Sequence, residues 1–427
     1  MSELVVRPKI SPDLDMVVSA KNPIIQGRGV CDPHMHVFGN RVYLYASHDS
    51  SPESTDYWME DWQIWSSTDL VEWRLEATVE PGEFFTGPTK SAWAVDAAHA
   101  DGNYYLYFSH GNTATGVAVA ATPIGPFRDA LGKPLLDGSL SSTREYDPAV
   151  FIDDDERAYL VFGGPEWAYG DGAGYFIAQL NPDMVSLAER PRRLLLDHEG
   201  DDKASLNKIG GIYYLTYGSN YSISNDVYGP YAFLGNTGAS EDHGSYFERD
   251  GQIFNAFTIF DPTMTHRASG ICYVHQKVSG EIVVDPVIVE YGVGHYDGRW
   301  NKIEAEWFMK ANGVIKKENP RHGFDISCPT AGTLFYPNVH DIERTSGIAF
   351  FASCSSSTGA RILIYDGEAK GKLLATCEIP GGTDISWRSY RISTATFGQQ
   401  LPHKIDLYFD IVVAGSGELR IDYFKLF

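Results

Sequence analysis

Two short runs, CDPHMHVF at 31–38 and EYDPAVFI at 145–152, each set an aspartate before a proline and then open an apolar strand. A single acid in that position is most often a turn former. Two alike, Asp32 and Asp147, raise another chemistry, because one ionised and one protonated carboxyl are the minimum needed to cleave a glycosidic bond. The base draws a proton from water on one face of the sugar while the acid protonates the departing oxygen. A third carboxylate near the acid raises its pKa by like-charge repulsion, so that the acid keeps its proton near neutrality.

The elements that must position these acids repeat along the chain. The aromatic anchors Tyr43, Tyr105, Tyr159, Tyr214 and Phe254 lie in GNRVYLYAS, DGNYYLYFS, DERAYLVFG, GGIYYLTYG and DGQIFNAFT, at spacings of 62, 54, 55 and 40 residues. Each run opens with Gly, Asp or Asn turn chemistry and continues as an alternating strand. Five such units, of roughly four strands each, predict an all-β chain that begins with a five-bladed β-propeller. Nine to twelve residues before the anchors stand Asp32, Asp96, Asp147, Asp202 and His243. The first strand of each propeller blade lines the central axis, so equal offsets put these residues on one ring around one cavity. Crowded carboxylates of this kind need a function or a cation to justify their repulsion. Tyr57, Trp58, Trp62, Trp93, Trp167 and Tyr169 would supply stacking faces at the rim.

Bulk properties narrow the partners. The chain has 427 residues and a formal net charge of −22, which argues against nucleic acid and anionic membranes and suits a neutral or cationic ligand, or a bound metal cation. No run of eighteen apolar residues encodes a membrane span. The five cysteines form no CxxC pair and no disulfide framework. The N-terminal run MSELVVRPKISPDLD lacks the pattern of a secretory signal, which leaves a cytoplasmic protein or a chain that starts at a mature end.

Composition shifts near residue 298, and regular short strands with no helix follow, so a β-sandwich is expected over 299–427 after the propeller of 1–298. Glu304 and Glu306 on its first strand and Asp422 on its last could share a hard cation such as calcium, or stand as exposed edge acids.

The motifs CDPHMHVFGNRVYLYASHD, YDPAVFIDDDERAYLVFGG, KIGGIYYLTYGSN and HGSYFERDGQIFNAF resemble those of glycoside hydrolase family 43, five-bladed propellers that remove arabinofuranosyl or xylosyl groups with inversion. The resemblance implies Asp32 as general base and Asp147 as the residue that tunes and orients the proton donor. It also implies His243 as the channel histidine, where a calcium ion or water cluster is often held, and Arg267 as a basic group near the substrate. His34, Trp93, Asp96 and Trp167 are expected, with Arg267, to bind the sugar. The family's donor glutamate in E-x-S-S-L-x-K is replaced here by Asp202 of DKASLNK, one methylene shorter. Three readings follow: Asp202 as a shorter acid, Glu199 as a displaced one, or a site with weak or lost activity. The expected partner is an oligosaccharide or polysaccharide, with no organic cofactor. Alternatives are a galactosidase or galactofuranosidase of the same family, or a sugar-binding propeller.

The C-terminal runs IEAEWF, ARILIYDGEAKGKLLATCEIP and IDYFKLF are similar to carbohydrate-binding module family 6, a jelly roll. The family's GGW is GGTDISW here, leaving Trp387 at a more structural position, and Arg420 replaces the sugar-binding asparagine. The resemblance therefore implies a mainly structural module.

Overall fold

The computed structural model describes residues 16–19, 21–201, 203–239, 242–321, 323–367, 369 and 371–427; the expectations attached to Asp202 and to residues 1–15 fall outside the described residues. Nearly all regular structure is β. Among the described residues the helical elements are Glu166–Tyr169, Pro286–Tyr291 and two single 3-10 turns, and none is long and apolar enough to cross a membrane. The chain divides into two compact units, one of residues up to 247 with 254–292, the other of 248–253 with 293–427.

Five antiparallel sheets are built in chain order. Their first two strands are Val30–Phe38 and Arg41–Asp49, Val95–Ala100 and Asn103–His110, Ala149–Ile152 and Ala158–Gly164, Ala204–Ile209 and Ile212–Tyr217, and Gly244–Arg249 and Gln252–Ile259. The five aromatic anchors fall on the second strand of each pair. Asp101–Gly102, Gly210–Gly211 and Asp250–Gly251 all have positive φ, the conformation of two-residue hairpin turns whose twist matches the strands they join. In the first sheet the short strand Val17–Ser19 pairs outside Glu72–Val79, adding a fifth strand.

The first strands pack side by side. Val30–Phe38 lies against Val95–Ala100, that strand against Ala149–Ile152, and that in turn against Ala204–Ile209. Ala268–Gln276 of the fifth sheet returns against Val30–Phe38. Between neighbouring sheets the alternating strands bury aromatic cores, such as Tyr45, Trp62 and Ile64 against Leu106 and Phe108. At about 25 cal/mol per Å² of apolar surface removed from water, such faces drive assembly but do not choose a register. Polar cross-links do that. Met35 N–H donates to Ser245 Oγ at 3.0 Å, and Ser269 Oγ donates to the Val30 carbonyl at 2.8 Å, stitching the fifth sheet to the first.

Asp96 is the densest of these links. It is 1% exposed, and its Oδ1 lies 3.2 Å from His34 Nδ1 and 2.6 Å from His36 Nε2 of the first sheet. Its Oδ2 accepts from Val150 N–H of the third sheet at 2.7 Å. The pair expected to bind sugar, His34 and Asp96, is thus spent on joining three sheets.

The second unit contains two six-stranded sheets, one centred on Ala331–His340, Lys404–Val413 and Ala360–Asp366, the other on Gly323–Cys328, Leu419–Leu426 and Gly347–Cys354. Lys404–Val413 alternates buried and less buried residues along its length, the period of a strand with one wet face. Tyr336 and Phe409 of one sheet meet Phe350 and Phe424 of the other with ring centroids 4.9–5.2 Å apart. The five cysteines are free and buried.

Burial pushes the Asp96 carboxyl upward, but His34 and His36 outweigh it and hold it far below the usual carboxylate range. A depressed folded value contributes stability above the unfolded pKa, near 4, and that stability is lost as pH falls below it. Asp96→Asn should therefore cost about 3 kcal/mol at neutral pH. Urea unfolding should show the difference from wild type shrinking as pH drops from 5 to 3.

Candidate active site

A cavity of about 290 Å³ opens at the ends of the first strands opposite their hairpins, and it is lined by Asp32, Asp147, Asp242, His243, Lys203 and Arg267 with Tyr57, Met59, Trp93, Ala94, Asn112, Arg144, Tyr146 and Tyr169. Asp32 reaches it through a local fault in the ladder. Cys31 pairs with Ser47 and His34 with Tyr45, so Asp32 and Pro33 sit in a bulge. Pro33 has no N–H to give the ladder, and Asp32 has φ 51, a left-handed value that aspartate tolerates better than most residues. Bulges re-aim side chains in this way. Asp147 takes the same left-handed backbone before Pro148, with φ 52, just ahead of strand Ala149–Ile152, where the ladder has not yet begun.

The charges interlock. Arg267, 4% exposed, donates from Nη1 to Asp32 Oδ1 at 2.7 Å and to Asp242 Oδ2 at 2.8 Å, and from Nη2 to Asp49 Oδ1 at 3.1 Å. Lys203 Nζ lies 2.8 Å from Asp242 Oδ1. His243 sits between the two acids of the DP motifs, with Nδ1 3.1 Å from Asp32 Oδ1 and Nε2 3.6 Å from Asp147 Oδ2. Ser109 Oγ is 3.3 Å from Asp147 Oδ1 and accepts from the Asp147 N–H at 2.9 Å.

These contacts set the protonation states. Burial alone would raise the Asp32 carboxyl, but Arg267 and then His243 hold it well below the usual range. Burial works against the His243 charge, yet Asp32 and Asp147 push the imidazolium up to about 10. Asp32 is thus an ionised, buried carboxylate facing a cavity, the state a general base requires.

Of the residues expected to act, Asp32, Asp147, His243, Trp93 and Arg267 line the cavity, whereas His34, Asp96, Trp167 and Glu199 are not among the lining residues. Trp167 is 73% exposed, and its indole N–H donates to the Gly200 carbonyl at 3.0 Å. Glu199 accepts from the Glu166 N–H at 3.1 Å and lies 3.6 Å from Arg193, so its carboxyl is occupied outside the cavity. The sequence reading missed Asp49, Asp242 and Lys203. Asp242 abuts His243, and a search of the ring position one residue to either side would have found it. A larger groove, about 440 Å³, lies at the hairpin ends of the second and third sheets, lined by His99, Asp101, Glu156 and Arg157, and it brings together neither DP motif.

Asp32, Asp242 and His243 place donor atoms within 4.8 Å of one another, close enough to hold a metal ion. Their fit is poor, because Arg267 and Lys203 already neutralise both carboxylates and His243 is itself held as a cation. In the second unit the donors differ. Glu306 is buried and its Oε2 has no hydrogen-bond partner among the described residues. Burial and then Glu304 raise its carboxyl well above the ordinary value, and burial with Glu304 pushes Asp422 up to about 7. Lys302 reaches Glu304, and Lys316 acts on Glu306, two cations near three acids. A hard dication would relieve that crowding, but the three are not among the described groups whose donor atoms all lie within 4.8 Å of one another.

Five consecutive sheets whose strand ends bring two buried acids and a set of aromatic side chains to one small cavity hold the equipment of a carbohydrate-cleaving type of site. The profile of Glycosyl hydrolases family 43 matches residues 20–231. A xylosidase/arabinosidase 43A of Humicola insolens is 31% identical over 271 residues, spanning 50% of this chain and 81% of that protein. The chain belongs to glycosyl hydrolases family 43 and is a glycosidase. An arabinoxylan arabinofuranohydrolase of Bacillus subtilis (strain 168) is 25% identical over 483 residues, covering 96% of this chain and 92% of the relative. The crystal structure of a family 43 arabinoxylan arabinofuranohydrolase from Bacillus subtilis, in complex with cellotetraose, shares the fold at a TM-score of 0.56 and 20% identity, over 96% of this chain and 99% of that one. A β-xylosidase/α-arabinofuranosidase from a compost microbial metagenome, in complex with xylotriose and in a calcium-free form, gives a TM-score of 0.53 at 26% identity, over 62% and 97%.

Arg267→Gln would leave Asp32, Asp49 and Asp242 buried without their shared cation. The variant should lose about 3–5 kcal/mol of stability, read as a lowered urea midpoint.

Proposed function

We propose that this protein is an inverting, exo-acting glycoside hydrolase that releases α-L-arabinofuranosyl or β-D-xylosyl residues from plant-type oligosaccharides and polysaccharides. The observation that carries the reading is the meeting of Asp32 and Asp147, both buried and linked through His243, in one cavity of about 290 Å³. Asp32 is the general base. Asp147 orients the proton donor and raises its pKa. Asp202 is the donor we favour, because Glu199 is engaged by the Glu166 N–H and Arg193. The five sheets, with their first strands packed in succession, are read as the blades of a propeller, 1–298. The segment 299–427 is read as a β-sandwich of the family 6 module type.

In that module, Arg321 and Arg388 lie 3.8 and 5.2 Å from the Trp387 ring centroid, and Arg420 donates to Glu418 at 3.0 Å. A stacking plane covered by guanidinium groups and a position filled by a paired arginine support a structural role over sugar capture. Glu304, Glu306 and Asp422 are its proposed calcium ligands. The propeller channel at His243 is not proposed to hold the ion.

A relative from Aspergillus niger, a β-D-galactofuranosidase xynD, is 28% identical over 64% of this chain and 86% of its own length, so galactofuranosides belong in the assay. With aryl arabinofuranosides, xylosides and galactofuranosides, wild type should turn over a pentoside and release it with inverted anomeric configuration by NMR. Asp32→Asn should lower kcat/KM by about 10²–10⁴-fold. Asp202→Asn should lose activity on oligosaccharides with a poor leaving group far more than Glu199→Gln does. The reverse order would move the acid to Glu199. Separately, calcium should raise the thermal midpoint of wild type, and Glu306→Gln should abolish that rise.

A further inference from the structure

Among the described residues, Arg144 is the cavity cation that no carboxylate holds. Arg267 is shared by Asp32, Asp49 and Asp242, and Lys203 by Asp201 and Asp242. The exposed Arg144 guanidinium instead rests on the Tyr169 ring, 4.8 Å from its centroid, at the mouth of the cavity.

That shelf is built. The Tyr169 hydroxyl hydrogen-bonds the Tyr146 hydroxyl, their rings lie 5.9 Å apart, and Trp93 packs 6.0 Å from Tyr146 on the far side. A cation–π contact uses the charge of the guanidinium and none of its N–H hydrogen-bonding capacity toward a carboxylate, and that fork matches a planar carboxylate bidentately. A carboxylate adds a bidentate, charge-paired contact that a neutral sugar hydroxyl cannot make with the same donors. In a chain of net charge −22, solubility gives no reason to station an unneutralised cation there.

We infer that the cavity mouth recognises a carboxylate on the glycan, so that the preferred substrate carries a hexuronic acid beside the sugar that enters the cavity, with Arg144 as the selecting residue. The glycan class rests on the glycosidase reading above, but the test uses binding rather than turnover. The probes are a xylo-oligosaccharide bearing one hexuronic acid and the same molecule with its carboxyl reduced to the alcohol. Each is titrated calorimetrically into the full chain at one fixed ionic strength.

Wild type should bind the acidic form about fivefold more tightly than the reduced form. The ratio should fall to near one in Arg144→Gln. In Arg144→Lys it should fall partway, since charge is kept and the fork is lost. Equal affinity for both probes in wild type, a preference for the reduced form, no binding of either, or a preference that survives Arg144→Gln would each overturn the inference. Inert aryl glycosides together with a retained acid preference would sink the hydrolase reading and leave this one standing.

Discussion

Arg267 lies buried beneath the cavity at the start of the third strand of the fifth sheet, and three carboxylates close on it. Asp32 and Asp49 come from the first sheet, and Asp242 from the segment before the fifth. Two like charges 4 Å apart repel by about 4 kcal/mol at an effective dielectric of 20, so the cluster could not stay ionised without a counter-ion. One guanidinium, with donors fanned in a plane, meets all three acids, which a lysine ammonium could not do with the same geometry. The contact closes the first sheet on the fifth and also sets the proposed base. A buried base needs a cation to remain ionised, but a cation given to it alone would weaken it as a proton acceptor. Sharing Arg267 among three acids dilutes that pull.

Much of this arrangement was legible in the chain, for a physical reason. Two-residue turns need positive φ, so Asp-Gly and Gly-Gly mark hairpins, and the aromatic anchors two to four residues on mark the strands that follow. The DP motifs were legible because a proline interrupts a ladder at a fixed point and leaves the aspartate before it to turn inward. The ring argument failed at Asp96. Its shorter offset, nine residues against eleven or twelve, put it on a first strand but one position inside the ladder, paired with Tyr107, where a carboxylate meets His34 and His36 from the neighbouring sheet instead of solvent. Offset along the chain identifies the strand; whether the ladder has begun decides whether the side chain joins sheets or faces the cavity. Asp49, at the far end of its strand, carried no such mark at all, and only the fold brings it to Arg267.

The second unit reads differently. Its strands alternate cleanly, so the two sheets follow from pattern alone, while its acids gain meaning only from burial. Glu306 and Asp422 look like edge carboxylates in the sequence. Buried with Glu304, and with Lys302 on Glu304 and Lys316 acting on Glu306, their carboxyls are still pushed upward, a cost that a dication would lower.

The corner at the head of each first strand ties these points together. Asp32, Asp147 and Lys203 all stand at that corner with φ of 51, 52 and 68. A non-glycine residue in this region costs on the order of 1 kcal/mol, which packing on either side must offset. The reuse of one strained corner in three sheets means that the backbone delivers a side chain to the cavity whatever its chemistry, and the residue type then decides the role. In the first sheet the corner supplies the proposed base, and in the third the acid that would tune the donor. In the fourth it supplies a cation, whose ammonium offsets Asp242 and so frees part of Arg267 for Asp32.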